Sequence, residues 1–117
     1  MSPHHKINYI EFPSSDLTNT KIFFGKVFNW NFVDYGPEYS SIVEAGIDGG
    51  FYLSQNKMRT DSGSVLIVLY SENLEETEVK VKEAGGEIIK PIFGFPGGRR
   101  FHFTDLNGSE FAVWSEK

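Results

Sequence analysis

A chain of 117 residues with no cysteine, a net charge of −5 and a pI near 5.1 is long enough for one domain whose core needs no disulfide or metal to hold it. The missing cysteines exclude disulfides, thiolate nucleophiles and zinc ribbons and fit a cytoplasmic protein. The acidic balance argues against nucleic acid, whose binding rests on Lys and Arg displacing counterions from phosphates. No segment approaches the ~20 apolar residues of a membrane span, and residues 1–12 carry no apolar run of the signal-peptide kind, so neither membrane insertion nor export by that route is expected.

In chain order, Lys6 to Phe12 has strand character and Pro13, Ser14 and Ser15 are expected to end it. Asp16 is placed to cap a helix running from Leu17 to about Phe28, with Leu17, Phe24, Val27 and Phe28 on one face. Three short strands follow, at Trp30–Tyr35, Tyr39–Ala45 and Phe51–Ser54, separated by Gly36-Pro37 and Asp48-Gly49-Gly50. The first half therefore reads βαβββ.

After Met58 a polar stretch leads into Val65–Tyr70, a continuous apolar run of the type expected of a strand covered on both faces. Asn73 takes the next cap position, and the helix behind it turns Leu74, Val81 and Ala84 inward. Its acidic first turn and the Glu76–Lys80 and Glu78–Lys82 spacings support it, and Gly85-Gly86 ends it. Strands at Glu87–Ile92, Arg99–Thr104 and Glu110–Trp114 complete a second βαβββ pattern. At an offset of 57, Asp16 aligns with Asn73, Leu17 with Leu74, Thr20 with Thr77 and Phe24 with Val81, which reads as an internal duplication.

Eleven Phe, five Tyr and two Trp suit either a core or an apolar pocket, and composition does not separate the two. His4 and His5 lie at a terminus expected to fray. The run Gly94-Phe95-Pro96-Gly97-Gly98-Arg99-Arg100 lacks the Gly-Lys-Ser/Thr ending of a phosphate loop and reads as a hairpin connection.

Three segments, Tyr9–Leu17 (YIEFPSSDL), Phe23–Phe32 (FFGKVFNWNF) and Asp105–Trp114 (DLNGSEFAVW), resemble the vicinal oxygen chelate superfamily, the glyoxalase, bleomycin-resistance and dioxygenase group. Phe24 stands where Tyr is usual in that group, Asn29 where Gly is usual, Leu106 for Pro and Ala112 for Glu. The resemblance implies an α+β fold of two βαβββ modules, about 6–58 and 64–116 within a single domain 1–117, with curved mixed sheets around a cavity. Members commonly hold a divalent metal there, through one His, Glu or Gln from the first and last strand of each module. Those positions fall on Tyr9, Leu66 and Ala112, with the fourth near Leu53 to Gln55, so no metal and no cofactor is expected, barring a remnant at Gln55.

By the same resemblance, Ile7, Tyr9 and Glu11 share the strand face that lines the cavity. Glu11 is then a candidate general base, or else an ion-pair partner of Arg99 or Arg100. His102 occupies a place where ring-cleaving relatives carry a cavity tyrosine, and it is the candidate acid. Counting a tight hairpin with Thr104 opposite Ser109 turns His102 away from Ala112, and only a bulge at Asp105 brings them together. Tyr9, Leu66, Phe95, Arg99, Ala112 and Trp114 are the candidate ligand-binding residues, with Phe95 and Arg99 at the cavity mouth; Trp30 reads as packing. The expected function is a metal-free module binding a small aromatic or amphipathic molecule as a homodimer. The alternatives are a lyase, isomerase or dioxygenase-type enzyme, and a regulatory domain whose cavity is filled by side chains.

Overall fold

The computed structural model describes residues 3–117. The chain forms two compact units, Met1–Asn56 and Lys57–Lys117. The first contains β1 (Ile10–Ser14), α1 (Leu17–Phe28), β2 (Asn31–Asp34), β3 (Tyr39–Val43) and β4 (Gly49–Leu53). Its strands lie in the order β1-β4-β3-β2, with β1 parallel to β4 and the other pairs antiparallel. The second contains β5 (Ile67–Tyr70), α2 (Leu74–Glu83), β6 (Glu87–Phe95), β7 (Gly98–Thr104) and β8 (Glu110–Ser115), in the matching order β5-β8-β7-β6. Each unit is a βαβββ module with a mixed sheet, as expected for the α+β class.

The duplication is visible in bond geometry. Ser14 and Thr20 join their hydroxyls at 2.7 Å, and Ser71 and Thr77, 57 residues on, do the same at 2.7 Å. Asp16 accepts from the Asn19 amide at 3.1 Å and Asn73 from the Glu76 amide at 3.1 Å. Both helices therefore start on the same side-chain cap, which satisfies an amide that the helix itself leaves bare. At the end of α1, Asn29 adopts the left-handed conformation, with φ of 60°. Asn is the non-glycine residue that tolerates this best, which is why it can stand where glycine is usual.

One face of each sheet carries the core. In the first unit Phe12, Phe23, Phe24 and Phe51 are at most 1 % exposed. In the second, Leu74, Val81, Phe101, Phe103, Phe111 and Val113 reach the same depth. Thr20, Phe23, Phe24 and Val27 form the buried side of α1, whereas Leu17 and Phe28 are only half-buried.

Three expectations are corrected. The first strand begins at Ile10 and runs through Pro13 and Ser14. Here β1 is an edge strand bonded only to β4, through Ile10 N–H to Asp48 O and Ser54 N–H to Ser14 O. The alternate positions Glu11 and Pro13 turn their backbone groups to the other edge, where the absent N–H of Pro13 costs nothing. The apolar run Val65–Tyr70 is covered on one face only: β5 starts at Ile67, and Val68 and Tyr70 are 42 % and 45 % exposed. Finally, β7 and β8 pair Thr104 with Glu110 rather than with Ser109, so His102 stands directly opposite Ala112. The turn Asp105–Ser109 is held by the Asp105 carboxylate, which accepts from the Asn107 and Ser109 amides at 2.9 and 3.0 Å.

Candidate functional site

Alternation along β1 sends Phe12 into the core and leaves Glu11 on the opposite face. Glu11 lies across from Gly50, and Gly50 from Ser41, so Tyr39 on β3 projects from the same face. There the Tyr39 hydroxyl donates to Glu11 Oε2 at 3.0 Å, and the Tyr9 hydroxyl lies 2.5 Å from that of Tyr39. A carboxylate only accepts, so the single Tyr39 proton is committed to Glu11 and Tyr9 must donate to Tyr39. Burial, with these two hydrogen bonds behind it, pushes the Tyr39 phenol well above its ordinary range. Glycine at 50 makes the arrangement possible, because a Cβ there would stand 2.3 Å from the Tyr39 hydroxyl oxygen. An open pocket of about 420 Å³ adjoins this chain of phenols and is lined by Tyr9, Tyr35, Tyr39, Ser41 and Asp48 among others. Glu11 thus partners a phenol, and the alternative pairing with Arg99 or Arg100 is replaced: no arginine forms an ion pair with it among the described residues.

In the second unit His102 is 2 % and Glu110 3 % exposed. His102 Nδ1 lies 2.8 Å from Glu110 Oε2, and Glu110 also accepts from the Thr60 amide at 2.8 Å and from the Thr60 hydroxyl at 3.0 Å. Burial alone would raise the Glu110 carboxyl, but the bonds from Thr60 and His102 outweigh it and hold the carboxyl below its ordinary value. The ionised carboxylate fixes the imidazole proton on Nδ1. Nε2 of His102 is buried with no hydrogen-bond partner among the described residues. Sequence reasoning missed Glu110; the only available signal was its even spacing from Ala112, which puts the two on one face of β8.

The remaining candidates divide by face. Ala112 and Trp114 share the face of His102, and Trp114 meets Tyr70 at 5.2 Å and Phe95 at 6.3 Å between ring centroids. Arg100, not Arg99, joins this group, with its guanidinium 5.5 Å from the Phe93 ring and 5.7 Å from that of Phe95. Arg99 projects from the other face and holds Glu75 of α2 at 2.5 Å and the Lys117 carbonyl at 2.9 Å. Leu66 lies just before β5, on the chain leading to Ile67. Glu11 and His102 belong to different units, and each has its own local partners.

Two modules of this topology, each with a helix-covered face and an opposite face carrying aromatic and polar side chains, define an α+β class of paired βαβββ units. The model of the glyoxalase/bleomycin resistance protein/dioxygenase superfamily matches residues 6–113, and the chain belongs to that superfamily. Solved structures agree on the fold. A glyoxalase-related enzyme from Fulvimarina pelagi is 20 % identical with a TM-score of 0.76, over 95 % of this chain and 88 % of that one. The fosfomycin resistance protein FosX from Listeria monocytogenes is 19 % identical with a TM-score of 0.77, over 94 % and 92 %. A lactoylglutathione lyase from Agrobacterium tumefaciens is 15 % identical with a TM-score of 0.72, over 97 % and 95 %. Comparison with curated protein sequences gives no significant match.

The metal of such folds can be tested against the residues present. Strand pairing corrects the fourth family position: Glu11 pairs with Gly50 as Val68 pairs with Ala112, so the counterpart of Ala112 is Gly50 rather than a residue from Leu53 to Gln55. The four positions that the resemblance implies are then Tyr9, Gly50, Leu66 and Ala112, which offer one phenol between them, and the place beside Gly50 is filled by the Tyr39 hydroxyl. This set does not fit a divalent ion, which asks for imidazole, carboxylate or thiolate donors. Among the described residues no group of three or more His, Asp or Glu side chains is placed to supply one elsewhere.

Proposed function

We propose that the chain is a single metal-free binding domain for a small aromatic or amphipathic molecule, received on the open face of the first sheet. One observation carries this reading: the Tyr39 hydroxyl takes the space at Gly50 within a tyrosine-lined pocket, where the family resemblance would put one of four metal positions, the others being Tyr9, Leu66 and Ala112. Aromatic walls with a few fixed polar groups are the usual makeup of a small-molecule site. Purified protein should therefore retain no stoichiometric Zn, Ni, Mn or Fe after dialysis against a chelator; elemental analysis showing one ion per chain would overturn the reading.

A second reading, a lyase, isomerase or dioxygenase-type enzyme, is favoured by the His102–Glu110 pair. A carboxylate that orients an imidazole is the arrangement by which histidine takes and returns protons. Turnover of a substrate by this chain, lost in His102→Ala, would place the enzyme reading first.

The working assembly we propose is a cytoplasmic homodimer. Val68, Tyr70, Phe93 and Phe95 are 36–45 % exposed, and a second copy would cover such apolar surface. Light scattering at ~50 μM should give twice the monomer mass, and a monomer that persists on further concentration would exclude it.

A further inference from the structure

The hydrogen bonds of the pocket in the first unit bear on the charge of its ligand. Tyr39 gives its proton to Glu11. Tyr9 gives its own to Tyr39, across 2.5 Å. Ser41 donates to the Val33 carbonyl at 3.3 Å. Three of the hydroxyls lining the pocket have thus spent their donors within the protein, and what they turn outward is lone pairs. Asp48 adds a carboxylate to the lining, and Glu11 a second one immediately behind Tyr39. Among the described residues no Lys, Arg or His lines the pocket, and neither Glu11 nor Asp48 forms an ion pair. Around these acceptors stand the rings of Tyr9 and Tyr35, 45 % and 67 % exposed, whose electron-rich faces attract a cation. An anionic ligand would find the Tyr35 hydroxyl as its only uncommitted side-chain donor among the described lining residues, and no positive charge there. An ammonium finds acceptors, rings and two carboxylates.

We propose that this pocket binds an organic cation, an ammonium or amidinium group on a flat or apolar body, with the charge seated among Tyr9, Tyr39 and Asp48 and neutralised by Glu11. The inference rests on the reading of the pocket as a ligand site and adds the charge and donor character of the ligand. It also gives Gly50 a function. Any side chain there would displace the Tyr39 hydroxyl and break the chain that orients Tyr9 and Tyr39.

The test uses three probes of similar shape and different charge, benzyltrimethylammonium, benzyl alcohol and benzoate. Each is titrated at pH 7 and low salt, with chelator present, into the full chain, and backbone amide shifts are followed at residues 39–50. The ammonium should bind about tenfold or more tightly than the alcohol, the scale of a partly desolvated cation–π and carboxylate site, and benzoate should not bind. Glu11→Gln and Asp48→Asn should each remove most of that preference, weakening the ammonium far more than the alcohol. Asp48 lies outside the hydrogen-bonded chain, so its variant remains informative if Glu11→Gln disturbs the fold. Equal binding of alcohol and ammonium, or a preference unmoved by both substitutions, would overturn the cation assignment and leave the pocket standing as a site. The absence of shifts at residues 39–50 with all three probes at about 10 mM would overturn the pocket reading and the cation assignment together.

Discussion

Glu110→Ala should lower the stability of the chain by about 3 kcal/mol at pH 7, the scale of leaving several buried hydrogen-bonding groups without their charged partner. The loss strands His102 Nδ1 and both the amide and the hydroxyl of Thr60, all of which point at the Glu110 carboxylate. It also releases Arg59, whose Nε lies 3.8 Å from that carboxylate. At this chain length the change corresponds to a melting temperature about 10 °C lower. The pH dependence follows from the direction of the shift. Because Glu110 titrates below the ordinary 4.5 in the folded chain, its stabilising contribution is fully present above that value and is lost as pH falls through the lowered one. Thermal unfolding followed by circular dichroism should therefore show a wide gap between wild type and variant at pH 7 that narrows below about pH 4. Melting points within ~2 °C of each other at pH 7 would mean that the pair contributes little to the fold.

Phe24→Ala should cost as much or more, about 3–5 kcal/mol, because nothing nearby can fill the space of the lost ring. Phe24 is 0 % exposed. Its ring stacks on Trp30 at 4.8 Å, meets Phe23 edge-on at 5.0 Å and lies 5.5 Å from Phe51. Phe51 is the β4 residue beside Gly50, so the same packing supports the strand over which Tyr39 is seated. Ile22→Ala, on the same helix at 61 % exposure, should change stability by no more than about 0.5 kcal/mol. Denaturant unfolding of both variants reads this contrast directly, and equal effects would contradict the assigned core.

The parts of the fold legible in the sequence are those decided locally. Asp16 and Asn73 announce their helices because a cap is chemistry within four residues, and α1 runs from Leu17 to Phe28 as expected. The order βαβββ, twice, followed from turn residues and from the offset repeat. What the sequence withheld depended on partners far along the chain. Pro13 looked like a strand terminator because nothing local reveals that β1 is an edge. Val65–Tyr70 looked doubly covered because an apolar run does not say what lies against each face. Arg99 and Arg100 are neighbours of one type, and only the register of β7 against β8 decides that Arg99 meets Glu75 while Arg100 meets Phe93 and Phe95.

The candidate site follows the same rule. Alternation alone placed Tyr9 and Glu11 on one face. The partner of Glu11, Tyr39, is 28 residues away and depends on the absence of a Cβ at Gly50. Glu110 escaped notice because its bond to His102 spans the Asp105–Ser109 turn and its bonds to Thr60 span 50 residues. That Leu66 and Ala112, which the resemblance puts at metal positions, carry no donor was readable directly. The fourth position needed strand pairing to move it to Gly50.

We propose that a small aromatic molecule is held on the first sheet without a metal. The most direct measurement is an amide-resolved titration of chelator-treated protein with benzyltrimethylammonium, before and after addition of Mn, Ni or Zn. Saturable shifts at Tyr9, Tyr39, Gly49 and Gly50 that are the same with and without metal are the predicted result. Binding that develops only when metal is added, or shifts confined to the second unit around His102 and Ala112, would contradict it.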